Sequence, residues 1–145
     1  MVIGFFNVME SKKTKQAIGQ TLLREAANLE SAGNSKEAVK LYQQSLKSQH
    51  RDERAYDRLM VIFRKMKDYK NESLIIQRAI KAFEAFYHDR SIRVSKQIAG
   101  ASRAIMKALG LTNKKGKPIY MLQPVERWSK RLQWVERKLE KKVAR

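Results

Sequence analysis

The stretch DERAYDRLMVIFRKMKDYKNESLIIQRAI, residues 52–80, decides the fold class. Asp52 is of the residue type that caps a helix N-terminus. Behind it, Ala55, Tyr56, Leu59, Met60, Ile62, Phe63 and Met66 recur at the three- and four-residue steps that gather apolar groups on one side of a helix. Lys67-Asp68-Tyr69 reads as a tight turn. Leu74, Ile75, Ile76, Ala79, Ile80 and Phe83 then carry the same period through a second helix to about Tyr87. Neither half alternates as a half-buried strand would, so the stretch predicts a helical hairpin.

Upstream the same grammar repeats. From Ser11 to Ala32, apolar residues fall at Ala17, Ile18, Leu22, Leu23, Ala26, Ala27 and Leu29. Gly33-Asn34 is a stop and turn signal, and Ser35 can cap a helix running to about Gln49. On that helix Ala38, Val39, Leu41, Tyr42 and Leu46 form the buried side. A shift of 34 residues lays Asn34 on Asp68, Leu29 on Phe63, Tyr42 on Ile76, Ser45 on Ala79 and Leu46 on Ile80. Turns fall on turns and core positions on core positions.

In these residues the chain resembles the tetratricopeptide repeat (TPR) family over about residues 19–86. The second repeat fits best, with Ala55-Tyr56-x2-Leu59-Met60-x2-Phe63 and Ile76-x2-Ala79-Ile80. The first keeps Leu22, Ala26, Leu29, Gly33, Ala38, Tyr42, Ser45 and Leu46. Departures are Glu25 where Leu is usual, Met60 and Glu72 at small positions, Lys67 at the turn glycine, and His50 and Glu84 at the closing proline. The resemblance implies an all-α, TPR-like array of antiparallel helical hairpins, two degenerate repeats long, with additional C-terminal capping helices. A generic helical bundle is the alternative.

The expected organisation is an N-terminal tail over 1–10, repeats over 11–88, a further unit over 89–110, a basic linker over 111–124 and a basic amphipathic helix over 125–145. The helix expected at about 91–109 reads either as the first helix of a third repeat or as a longer packing helix. In the linker, Ile119, Tyr120, Met121 and Leu122 are too apolar to hang free. Pro124 suits the opening turn of the last helix, whose Val125, Trp128, Leu132, Val135 and Leu139 form a stripe that needs a partner surface. A stack of two repeats leaves an apolar face open at each end, so this helix and the one before it are expected as caps. The alternative is a homodimer seam or partner site made by Trp128, Leu132 and Trp134.

Composition points away from catalysis. The 145 residues hold no cysteine and two histidines, His50 and His88, which excludes thiolate chemistry and clustered imidazole sites. No phosphate-cradling glycine loop, zinc-binding His-Glu-x2-His helix, nucleophile elbow or paired carboxylates occur. Glu25, Asp57 and Glu72 are single helical carboxylates expected to pair with nearby Lys and Arg. We therefore expect no enzyme activity, no catalytic residues, no cofactor and no metal. No run approaches the roughly 20 apolar residues of a membrane span, and no leader peptide is recognisable, so a cytoplasmic protein is expected.

The charge is the strongest functional signal. Net charge is +18, from 32 Lys and Arg against 14 Asp and Glu. Residues 1–86 hold 16 basic and 10 acidic side chains, whereas 87–145 hold 16 and 4. Such a field attracts polyanions in a salt-sensitive way. It fits an acidic protein segment, nucleic acid including ribosomal RNA, or a solvated face with no dedicated ligand. Nucleic acid would use Lys114, Lys115, Lys117, Lys130, Arg131, Lys138 and Lys141, with backbone-directed contacts, because no base-reading motif is present.

TPR arrays bind peptides in a groove lined by the first helix of each pair. The resemblance places Gln20, Leu23, Ala27, Glu30 and Ser31 there from the first repeat, and Arg54, Asp57, Val61, Arg64 and Lys65 from the second. The basic members suit an acidic partner. A chaperone-tail clamp is not implied, since Arg58 stands where its second Asn would be and the first repeat lacks its Lys.

Overall fold

The computed structural model describes the backbone of residues 3–98, 101–108, 110 and 123–144, and side chains over 11–88, 104–105, 107–108, 110 and 123–144. These residues are helical and contain no strand. Six helices follow in order: α1 (Ile3–Ser31), α2 (Ser35–Ser48), α3 (Glu53–Lys65), α4 (Tyr69–Ile98), α5 (Ala101–Ala108) and α6 (Val125–Val143). α1 packs on α2 and α3 on α4, α2 joins the two pairs through α3, and α6 lies against α4.

The two hairpin turns are the same turn. Asn34 N donates to Leu29 O at 2.8 Å and Gly33 N to Glu30 O at 3.0 Å. Thirty-four residues later, Asp68 N donates to Phe63 O at 2.9 Å and Lys67 N to Arg64 O at 3.0 Å. Both are Schellman closures, which place one residue in the left-handed region. That residue is Gly33 at φ 82° in the first turn and Lys67 at φ 54° in the second. Glycine adopts this conformation freely, whereas lysine is strained there.

Helix starts differ in detail. Asp52 Oδ1 accepts from Arg54 N at 2.9 Å and Ala55 N at 3.2 Å, capping α3 as expected. Asp68 Oδ1 accepts from Asn71 N at 3.2 Å at the start of α4. The cap of α2 is Asn34 rather than Ser35, and its side chain makes no capping bond.

Three expected boundaries move. The segment read as a tail is helical from Ile3, because no proline blocks propagation of an established helix and each added residue gains a hydrogen bond. The break expected near residue 88 is absent, and α4 runs on for 30 residues to Ile98. No Gly or Pro interrupts Tyr69–Ile98, so the first hairpin's length does not limit the second. The helix expected over 91–109 is accordingly the end of α4 followed by α5. The apolar linker stretch 119–122 lies outside the described residues.

The core joins the hairpins to α6. Ala26, Ala38, Tyr42 and Leu46 fill the first pair, and Ala55, Tyr56, Leu59, Ile62, Ile76 and Ala79 the second. Val125, Trp128 and Val135 add α6 to the same cluster. Tyr56, Phe83 and Trp128 meet edge to face, with ring centroids 5.0–6.4 Å apart. Each such pair contributes about 0.5–1.5 kcal/mol beyond its buried area. Among the described residues every buried side-chain nitrogen and oxygen has a partner. No described helix is long and apolar enough to cross a membrane.

Candidate functional site

A groove of about 1010 Å³ opens between α1 and α3, with Tyr42 of α2 reaching its wall. All five first-repeat positions named from sequence, Gln20, Leu23, Ala27, Glu30 and Ser31, line it, as do Arg54, Asp57 and Lys65 of α3. Val61 and Arg64 do not. They sit with Asp57 in a smaller cavity of about 400 Å³ lined also by Arg127, Trp128 and Arg131 of α6. Arg58, named from sequence at a clamp position, also lines the wall, and Arg24 joins it without having been expected; its spacing of one helical turn from Gln20 is the signal for it.

Both groove carboxylates are satisfied internally. Glu30 accepts from Arg58 Nε at 3.0 Å and from Tyr42 Oη at 3.1 Å, and also pairs with Arg58 Nη2. Burial pushes the Glu30 carboxyl up, but the bonds from Arg58 and Tyr42 and the charges of Arg58 and Lys65 outweigh it and hold the group below its ordinary value. The same environment raises Tyr42, through burial first and the adjacent Glu30 second. Asp57 Oδ1 accepts from Trp128 Nε1 at 2.8 Å, and its Oδ2 from Arg127 Nη2 at 2.7 Å. Arg24, Arg54 and Lys65 make no ion pair with a described carboxylate, although the Lys65 charge also acts on Glu30, so the groove presents positive charge beyond its internal pairs.

Arg64 and Arg131 of the small cavity also form a joint between α3, α4 and α6. Glu72 is fully buried and takes a two-pronged contact from Arg131, Nε to Oε1 at 2.7 Å and Nη2 to Oε2 at 3.1 Å. Arg64 Nε adds a third bond at 3.2 Å. Arg131 is thus consumed by an internal carboxylate, and its guanidinium also stacks 4.1 Å from the Trp134 ring. Arg131 belongs to the set named from sequence for polyanion contact. Of the other residues in that set, Lys130 pairs with Glu126 at 2.7 Å, Lys138 lies 5.0 Å from the Trp134 ring centre, and Lys141 is exposed in the last turn of α6. Lys114, Lys115 and Lys117 lie outside the described residues.

The stripe weighed as a homodimer seam or partner site is covered within this chain. Trp128 is 2% exposed and Leu132 packs on the same core, so their stripe is covered by α3 and α4 of this chain. Trp134 remains 38% exposed, with Tyr69 edge-on at 5.8 Å. No group of three or more described His, Asp or Glu side chains could hold a metal ion.

No family model matches the chain, and no curated protein or solved structure matches it either.

Proposed function

We propose that this chain is a non-catalytic, TPR-like interaction module that docks an acidic partner segment in the α1–α3 groove. The observation that carries the reading is an asymmetry of pairing. The two groove carboxylates are spent on Arg58, Tyr42, Arg127 and Trp128, while Arg24, Arg54 and Lys65 are left for a ligand. A partner carboxylate would gain charge-assisted hydrogen bonds without displacing an internal pair. The 34-residue recurrence of the turns and a groove lined by both α1 and α3 support the TPR-like arrangement.

The competing reading is weakly specific nucleic-acid binding through the basic C-terminal half. A glutamate-rich peptide and a generic RNA duplex, each titrated at two salt concentrations, separate the two. Arg54→Glu with Lys65→Glu should abolish peptide binding and leave RNA affinity nearly unchanged. Lys138→Glu with Lys141→Glu should do the reverse. Arg131 is excluded from the second set because reversing it would break the α6 joint. Peptide binding that ignores the groove pair, or RNA binding that is the tighter of the two, would reject the adaptor reading.

A further inference from the structure

We propose that the groove continues past Arg54 into a second basic basin, and that its occupant is an extended acidic polypeptide long enough to fill both. The inference rests on the adaptor reading above and specifies its ligand. A second cavity, of about 1020 Å³, lies over the N-terminal half of α1 and the α2–α3 loop. It shares Gln20, Leu23, Arg54 and Asp57 with the main groove, so the two form one trough. Lys12 and Lys15 of α1 and Arg51 of the loop line the new part.

Three carboxylates stand in this basin, and all are occupied. Asp52 caps α3, Glu53 accepts from Arg127 Nη2 at 3.2 Å, and Asp57 holds Arg127 and Trp128. Lys12, Lys15 and Arg51 have no ion pair with a described carboxylate. The Arg51 guanidinium carbon lies 4.0 Å over the Phe86 ring, and its N–H groups make no hydrogen bond to a described residue. Such a row of cations, flanked by the half-buried Leu23 and by Phe83 and Phe86, suits a polypeptide carrying repeated carboxylates and occasional apolar residues.

The length follows from helix geometry. On α1 the lining runs from Lys12 to Ser31, a rise of about 28 Å at 1.5 Å per residue. An extended chain covers that in about nine residues, whereas the main groove alone, from Gln20 to Ser31, takes about five.

The test uses capped glutamate peptides of five and nine residues, read by fluorescence anisotropy on the full chain. The longer peptide should bind about tenfold tighter, because the second basin engages a segment already tethered in the first. K12E/K15E/R51E should bring the nine-residue peptide down to the affinity of the short one and leave the short one unchanged. K12Q/K15Q/R51Q should give the same pattern in weaker form, and circular dichroism checks that both variants keep wild-type helicity. If the short peptide binds through Arg54 and Lys65 but length adds nothing, or the triple variants retain the gain, the second basin is refuted and the adaptor reading stands. If neither peptide binds, both fall together. Displacement of the nine-residue peptide by a nine-nucleotide RNA at equal concentration would overturn the assignment to a polypeptide.

Discussion

Arg131 reaches across 59 residues of sequence to grip Glu72, with Nε 2.7 Å from Oε1 and Nη2 3.1 Å from Oε2. Glu72 lies 34 residues beyond Ala38 of the first hairpin, and both are fully buried. The second hairpin therefore departs from the first where α6 must be anchored. Arg131→Ala would strand a buried carboxylate with Arg64 as its one remaining cation. Because the Arg131 side chain is 21% exposed, the cost should fall below that of a fully buried pair, at about 2 kcal/mol. Urea unfolding reads it directly. Glu72→Ala added to Arg131→Ala should cost no more than Arg131→Ala alone, since it removes the uncompensated charge. A double variant clearly less stable than the Arg131 variant would disprove this account.

Trp128 and Trp134 should report oppositely in fluorescence. Trp128 is enclosed and hydrogen-bonded to Asp57, whereas Trp134 is partly open to solvent. Trp134→Phe should leave blue-shifted emission and Trp128→Phe red-shifted emission. Trp128→Ala should also destabilise by about 3–5 kcal/mol, as other buried aromatic truncations do. Equal emission maxima in the two Phe variants would show that α6 does not sit on α4 in solution.

Lys67 offers a stabilising change. It sits at φ 54° where the equivalent turn of the first hairpin has Gly33 at φ 82°. Lys67→Gly should relieve the left-handed strain and raise stability by about 0.5–1 kcal/mol, net of glycine's extra unfolded-state entropy. Gly33→Ala should lower it by about 1 kcal/mol for the converse reason. Thermal unfolding of the two variants checks both signs, and a destabilised Lys67→Gly would contradict the turn geometry.

The hairpins were legible in sequence because their signals are local. Asp52, Gly33-Asn34 and Lys67-Asp68 mark ends within a few residues of what they cap or close. Small and large apolar residues at a 34-residue offset then place the core. The groove positions named for the first hairpin came from the family resemblance. What did not follow was the role of α6. Arg127 and Trp128 lie 70 and 71 residues from Asp57, and the stripe that holds Trp128 and omits Trp134 does not tell which surface covers it. An amphipathic stripe declares that it needs a cover without naming it, so Trp128 and Leu132 read equally well as a dimer seam. The continuity of α4 past residue 88 was missed for a related reason. The 34-residue offset between the two hairpin turns suggests where a third turn would fall, but without Gly or Pro nothing in the chain enforces one.

Acid should reveal the Glu30 contact. Its folded-state pKa is held below the ordinary value near 4.5, so its contribution to stability is full above that value and is lost as pH falls through the folded pKa. Glu30→Gln removes that titration. The stability gap between wild type and Glu30→Gln should be largest above about pH 4.5 and shrink below it. Arg58→Ala should flatten the same profile, because Arg58 supplies the main bonds that oppose burial. A gap independent of pH would mean that Glu30 is not titrating against Arg58.

Arg127 should set the sign of the groove from outside it. Its Nη2 reaches Asp57 at 2.7 Å and Glu53 at 3.2 Å, and Asp57 faces the main groove, the second basin and the α6 joint alike. Without Arg127, two carboxylates would stand uncompensated among the cations that receive an acidic ligand. Arg127→Ala should therefore weaken binding of a glutamate peptide by about three- to tenfold, the scale of a partly screened charge contact. The α6 joint should survive, because Arg131 still holds Glu72 and Trp128 stays in the core. Adding Glu53→Gln and Asp57→Asn should restore affinity, since the amide introduced in place of the Asp57 carboxylate would keep an acceptor for the Trp128 indole while losing the charge. Anisotropy paired with thermal unfolding distinguishes this from general loosening. If Arg127→Ala lowered affinity only in proportion to a loss of helicity, or the triple variant failed to recover binding, Arg127 would be a structural tether and the groove's charge would be set by Arg24, Arg54 and Lys65 alone.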